Sequence, residues 1–411
     1  MSCRMMKLKN VCDFIDGDRG KNYPSNGELT SSGSCLFLNT GNVTKNGFNF
    51  EKCQFITAEK DALLRKGKLR HGDVVLTTRG TLGNVGFFSN ILPYQSVRIN
   101  SGMLILRASV EFDPRFLFYA VQSPMFQAQI NGVKTGSAQP QLPVKTLKEM
   151  EVSFPSREGQ ERIVDVLSAY DELIENSRRQ IKLLEEAAQR LYKEWFIDLK
   201  FPGHETTPIV DGLPEGWERG TLLTLVDVVR GCSYSSDEII QGEKTLINLG
   251  NLTPFGGFRF GYEKPFSGKS RENQLVAKGD VVMGLTEQAI GLAGYAALLP
   301  TVPDGSVISA DLVKIAPKQG VPAEFVYALL RYGRLSELIS PLANGTKIKH
   351  LRPQSLSRVT TQIPSVELMQ RYAAVVCPAY EQIDVCQQQV AAAREARDRL
   401  LPKLMSGEIE V

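Results

Sequence analysis

The sequence predicts a tandem α/β (α+β) repeat: two mixed domains, each followed by a long helix, with the helices paired as an antiparallel coiled coil of pseudo-twofold symmetry. Three observations predict it. Motifs recur in order at offsets of 207 to 209 residues, about half of the 411-residue chain. Short apolar runs bounded by glycine precede helical periodicity in each half. A 4-3 spacing of apolar residues then closes each half and keeps its register in both copies.

The repeat is legible from the first strands onward. "LNTGNVTKNGFNF" (38–50) matches "INLGNLTPFGGFRF" (247–260), and "GDVVLTTRGTLGNVG" (72–86) matches "GDVVMGLTEQAIGLAG" (279–294). The GDVV runs read as buried strands, as do "SGMLILRAS" (101–109) and "SADLVKIAP" (309–317). "NTGN" and "NLGN" read as turns, with Asn and Gly taking the left-handed conformation. "PRFLFYAVQSPMFQAQI" (114–130) and "PAEFVYALLRYGRLSELI" (322–339) have helical periodicity, with proline early, where a helix tolerates it. "GSAQPQLPVKTLKEMEVSFP" (136–155) returns as "GTKIKHLRPQSLSRVTTQIP" (345–364), holding the Gly, two Leu positions and the closing Pro while the polar filling changes.

The first heptad seam runs through Ile163, Leu167, Tyr170, Ile174, Ser177, Ile181, Leu184, Ala188, Leu191 and Trp195. Adding 209 gives Tyr372, Val376, Ala379, Ile383, Cys386, Val390, Ala393, Arg397, Leu400 and Leu404. Each seam covers 33 residues, or roughly 50 Å at about 1.5 Å per residue. Pro378 is expected to kink the second helix or delay its start. "KFPG" (200–203) and "SGE" (406–408) read as stops. The resulting division is a first domain at 1–155, a central helix at 156–203, a linker at 204–217, a second domain at 218–364 and a distal helix at 365–411.

Charge is uneven along this plan. Residues 1–155 carry 19 Lys+Arg against 12 Asp+Glu, whereas 201–364 balance at 16 each. A basic first domain favours a polyanionic partner. The N-terminal stretch has no apolar core of a secretory signal, and "AIGLAGYAALLP" (289–300) is too short to span a bilayer. Seven cysteines with no CxxC spacing fit a reduced, cytoplasmic compartment.

The order of parts resembles the specificity (S) subunit of type I DNA restriction–modification systems. "LKEMEVSFPSREGQERIVDVLSAYDELIE" (147–175) is similar to that family's junction from recognition domain into spacer helix, although Gly159 separates Glu158 from Gln160, which usually adjoin. "RLYKEWFIDLKFPGHE" (190–205) and "RDRLLPKLMSGEIEV" (397–411) are similar to its helix endings. The resemblance implies two target recognition domains, each reading one half of a bipartite sequence in double-stranded DNA. It implies that the helices set the unread spacer and dock two methyltransferase (M) subunits and, through the complex, restriction (R) subunits. It implies no catalytic centre and no cofactor in this chain, with S-adenosylmethionine, ATP and Mg belonging to the partners, and no membrane.

The residues agree with that expectation. There is no G-x-x-x-x-G-K-[ST], and no N-P-P-[YF] or D-P-P-[YF] of an amino-group DNA methyltransferase. His71, His204 and His350 are scattered with no ligand at metal spacing, so no metal is expected. The residues alone leave open a coiled-coil adaptor with two protein-binding domains, or a free-standing DNA-modifying enzyme with an unfamiliar site.

DNA contacts would come from exposed loops, where Lys, Arg, Ser and backbone N–H meet phosphates and Arg, Lys, Asn and Gln meet base edges. Three loop families recur in both halves. The first offers Arg19, Lys21, Asn22, Tyr23 and Ser25, against Tyr234, Ser235 and Ser236. The second, after the GDVV strands, offers Thr77, Thr78, Arg79 and Thr81, against Thr286, Glu287 and Gln288. The third offers Lys134, Thr135, Ser137, Gln139, Gln141 and Lys145, against Thr346, Lys347, Lys349, His350, Arg352 and Gln354. The basic run "RKGKLR" (65–70) is either a phosphate contact or a solvated helix end or loop.

Overall fold

The computed structural model describes residues 4–45, 47–133, 141–345 and 348–411. The chain gathers into two compact units, Met1–Glu172 with Ala393–Val411, and Leu173–Ala392. Each unit is a mixed α/β domain together with a stretch of both long helices.

In the first unit, four strands form an antiparallel sheet in the order Cys12–Asp16, Met103–Ala108, Val74–Thr77, Val85–Phe87. The two central strands are apolar at successive positions because both faces are covered. Val74, Leu76, Leu104 and Leu106 face the helices, packing with Phe116, Leu117 and Ala120. Val75, Met103 and Ile105 face the other way, against Leu36, Leu38 and Ile99 of a smaller sheet. A separate pair, Arg4–Lys7 against Glu151–Phe154, ties the start of the domain to its end.

The second unit repeats this plan. Its four-stranded sheet runs Val226–Arg230, Leu312–Pro317, Val281–Gly284, Ala296–Leu298, again antiparallel throughout. Glu218–Thr221 pairs with Thr360–Ile363, the counterpart of the first unit's closing pair.

Each helix expected after the strands is in fact two. The first breaks into Pro114–Gln122 and Pro124–Gly132, because Ser123 leaves the helical conformation and its hydroxyl accepts from the Phe126 N–H, capping the second piece ahead of Pro124. The second breaks into Ala323–Tyr332 and Leu335–Ile339 at Gly333 and Arg334, the latter at φ 59°. The Asn-Gly-Asn turns form, but without left-handed Asn or Gly. Asn39 accepts from the Gly41 N–H at 2.8 Å while Asn42 accepts from the Asn39 N–H at 3.0 Å. Asn248 and Asn251 repeat both bonds at the same distances. The amide side chains close these turns, so the backbone needs no unusual φ.

The central helix is Arg157–Tyr192, followed by a wider π-type turn at Lys193–Ile197. The distal helix runs unbroken over Val366–Ser406, so Pro378 does not delay its start. Pro378 is exposed and removes only one backbone donor from a helix whose inner face is packed. Gly407, at φ 77°, stops it.

Within the second unit the two helices run antiparallel. The Ser177 hydroxyl donates to Gln389 Oε1 at 3.3 Å, and the Cys386 thiol to Gln180 Oε1 at 3.2 Å. The first unit shows the same sense, with Arg397 on Asp171 and Arg162 on the Val411 carbonyl, each at 2.6 Å. Of the seam residues, Ile163, Leu167, Ile174, Trp195, Tyr372, Val376, Ile383 and Leu404 are buried; Tyr170, Ile181, Leu184, Leu191, Val390 and Leu400 are half-buried. The buried stripe widens where a domain packs, adding Val164, Tyr192, Phe196, Met369, Tyr380, Leu401 and Met405. The 204–217 segment forms a short hairpin, Ile209–Val210 with Leu213–Pro214, and buries Leu213 and Trp217 in the second unit's core.

Candidate nucleic-acid interface

An antiparallel sheet sends alternate connections to the same end. In the first unit Asp16 ends one strand, Met103 begins the next, Thr77 ends the third and Val85 begins the fourth. The loops at 17–25, 78–84 and 100–102 therefore emerge together. Gly17 makes this possible. A Cβ there would stand 2.1 Å from the Asn100 carbonyl oxygen, so only glycine lets the chain pass. Gly231 is its counterpart, with a Cβ 2.1 Å from the Ser309 oxygen.

Beyond Gly17 a cleft of about 490 Å³ opens between the 16–22 loop and Arg65–Lys66. Asp18 fastens its two sides, accepting from the Gly20 and Arg65 N–H groups, each at 2.8 Å. Those donors hold its carboxyl below the ordinary value. Arg19 donates to the Ser101 carbonyl at 3.3 Å and sits 3.7 Å from Asp16. Lys21 is exposed, and Asn22 donates to the Leu63 carbonyl at 3.2 Å. The basic run divides its labour: Arg65 and Lys66 line the cleft, while Lys68 is held by Asp61 at 2.5 Å. A cleft of about 600 Å³ opens at the matching place beyond Gly231, lined by Arg230, Ser233, Lys269, Arg271 and Asn273. The Lys269–Arg271 contribution has no sequence match at 65–70, so reading the repeat does not find it.

Tyr23 and Tyr234 turn inward, each packing on a small apolar cluster beside its domain's second sheet. Ser25 and Ser235 form matching capping boxes with Glu28 and Glu238. Ser236 is exposed.

The second and third loop families meet. Arg79 and Gln141 pair as an isolated antiparallel bridge, and the Leu142 N–H donates to the Thr78 carbonyl at 3.0 Å. In the second unit Thr286 pairs with His350 and Glu287 with Lys349, and the Leu351 N–H donates to the Leu285 carbonyl at 2.7 Å. Arg79 is half-buried; Thr81, Gln141, Lys145, Gln288, Lys349, His350, Arg352 and Gln354 are exposed. Thr77, Thr78 and Thr286 are buried and offer no free hydroxyl to a ligand. The Thr77 hydroxyl accepts from the Asn84 N–H at 2.9 Å, Thr78 donates to the Gly102 carbonyl at 3.1 Å, and Thr286 donates to Asp311 at 2.8 Å. They hold the loop roots from inside, since they continue strands covered on both faces. Glu287 accepts from the Gly291 N–H at 3.4 Å and from Ser340 at 3.3 Å. Lys134, Thr135, Ser137, Gln139, Thr346 and Lys347 lie outside the described residues.

Each unit thus presents, at one sheet end, a basic cleft beside a two-sided polar ridge. Among the described residues there is no cluster of three or more His, Cys, Asp or Glu able to hold a metal, and no helix long and apolar enough to cross a membrane.

Residues 3–186 match the model of the type I restriction modification DNA specificity domain. The chain is 26% identical over 352 residues to the type I restriction enzyme MjaIX specificity subunit of Methanocaldococcus jannaschii, covering 83% of this chain and 78% of that protein. It is 21% identical over 467 residues to the HindI specificity subunit of Haemophilus influenzae, covering 97% and 99%. The crystal structure of the type I restriction–modification S subunit from M. genitalium shares the fold, with a TM-score of 0.62 at 15% identity over 98% of this chain and 96% of that one. With its duplicated sheet-end loops and paired helices, the chain carries the match to the type I restriction modification DNA specificity domain at residues 3–186 and is similar, over most of its length, to specificity subunits of type I restriction enzymes.

Proposed function

We propose that each domain reads one half of a bipartite sequence in double-stranded DNA. The paired helices set the unread spacer and dock two methyltransferase subunits, with restriction subunits joining through the complex. The chain is not itself a catalyst on this reading and works in the cytoplasm; S-adenosylmethionine, ATP and Mg²⁺ serve the partner subunits. One observation carries the reading. Two independent units build the same frame at the same sheet end, from Gly17 and Gly231 to the bridges at Gln141 and His350, yet fill it with different polar side chains. A shared frame with unlike polar groups suits two unlike half-sites on one duplex.

Methylome sequencing of a host carrying this gene and its methyltransferase gene tests it. The expected result is N6-methyladenine at one bipartite motif interrupted by a fixed unread spacer. A continuous motif, or no new methylation, sinks the reading. Binding of the assembled complex should also fall steeply with salt, since phosphate contacts release counterions.

A further inference from the structure

The second unit carries an apolar feature at its candidate DNA edge that the polar reading leaves unused. Phe255 is 59% exposed and Ile290 is 81% exposed. Single exposed apolar residues are ordinary on a protein surface. These two differ in how they are held. Phe255 adopts φ 66°, a left-handed conformation that a bulky aromatic residue takes only under constraint. The constraint is a tight turn. The Thr253 N–H donates to the Gly257 carbonyl at 3.0 Å, the Gly256 N–H returns to the Thr253 carbonyl at 3.1 Å, and Gly256 and Gly257 are themselves at φ 98° and 105°.

The turn is fastened to the connection after the strand Val281–Gly284, the one that also carries Thr286, Glu287 and Gln288. The Phe255 N–H donates to the Gly291 carbonyl at 2.7 Å. The ring lies so close that a Cβ on Gly291 would meet it at 2.9 Å, and Tyr295 meets it edge-on at 5.5 Å between centroids. Ile290 precedes Gly291 in the same loop. The first half has no such feature in its sequence: Asn46 stands where Phe255 does, and the loop of 80–86 is shorter than its counterpart at 286–294.

We propose that Phe255 and Ile290 recognise the C5 methyl group of a thymine in the half-site read by the second domain. The proposal rests on the DNA reading above and adds an apolar determinant to it. Apolar side chains in the groove find the thymine methyl as their natural partner among base edges. Around them lie the exposed Ile348, Lys349 and His350, with Arg259 stacked 4.2 Å over the Tyr262 ring. Two side chains fall far short of the roughly 1,200 Å² that a stable protein–protein interface needs. A strained backbone that leaves a phenyl ring more than half exposed is the kind of feature that clusters at functional positions.

The test uses the assembled complex with its methyltransferase subunits and duplexes bearing the methylated sequence. Each thymine is replaced in turn by uracil, which removes the methyl and keeps base pairing. One replacement, within one half-site only, should weaken wild-type binding about three- to five-fold, the worth of one buried methyl. The Phe255→Gly variant should bind the two duplexes equally and melt no lower than wild type, because glycine takes this φ freely. The proposal is overturned by a wild-type complex indifferent to every uracil, by a half-site lacking any A·T pair, or by a variant retaining the full uracil penalty. A wild-type complex that binds no duplex at all defeats the DNA reading itself and the proposal with it.

Discussion

Gly17 and Gly231 show how much of each recognition edge depends on a missing side chain. A first carbon at either position would overlap the carbonyl oxygen of Asn100 or Ser309. Backbone atoms cannot rotate away, so the neighbouring connection must move. Gly17→Ala and Gly231→Ala should each cost about 1–3 kcal/mol, the usual toll of forcing atoms into a filled site. Thermal melting of each variant checks this, and unchanged melting temperatures would show that the loops are slack. Neither glycine stood out in the sequence, because its close neighbours come from strands more than 75 residues away. The burial of Thr77 and Thr78 was illegible for a related reason. In a strand buried on both faces there is no alternation to say which way Thr77 or Thr78 points, and the hydroxyls alone suggested a ligand. The exposed Lys and Arg of the same loops were legible, since a charge without a partner nearby in sequence belongs in solvent.

At the scale of elements, the glycine-bounded strands and the heptad seams were readable because their periodicity is local. The break at Ser123 was also written locally, as a Ser-Pro step that caps a new helix, but a helical pattern continuing on both sides concealed it. What local reading could not supply is how each domain grips the helix pair. In the first unit Asp171 takes a hydrogen bond from Tyr119 of the domain and another from Arg397 of the distal helix, both at 2.6 Å. Burial, then the charge of Asp171, pushes the Tyr119 phenol well above its ordinary value, so it donates at any working pH. The second unit has a different contact of the same kind, Arg331 of the domain on Glu185 of the central helix at 3.0 Å. Arg397 is the one charged residue among the seam positions, and it stands where the seam meets Asp171. Asp171→Ala strands a buried phenol and a half-buried guanidinium and should cost about 1.5–3 kcal/mol, as for hydrogen bonds to charged groups. Tyr119→Phe should cost less, and the double variant should fall short of the sum, because both changes break the same bond. Additive losses in urea unfolding would show that the Tyr119–Asp171 bond contributes nothing to stability.

For the whole molecule, the duplication poses one quantitative question: whether helix length is what fixes the distance between half-sites. Residues 174–180 and 386–392 answer it well, because they are matched across the helix pair. Ser177 meets Gln389 and Gln180 meets Cys386. Removing both segments takes one heptad from each helix, so Leu173 is followed by Ile181 and the apolar register survives. At about 1.5 Å per residue the loss is roughly 10 Å of helix, close to three base pairs at about 3.4 Å each. The doubly shortened chain should methylate the same two half-sites with a spacer shorter by about three base pairs, or lose activity where the shorter pair no longer seats the methyltransferases. Removing only one segment should abolish activity, since every seam residue beyond the cut then faces the wrong neighbour. Methylome sequencing distinguishes these outcomes. A double deletion that keeps full activity and the original spacer would mean that spacing is set by the partner subunits, and that these helices hold the domains without measuring anything.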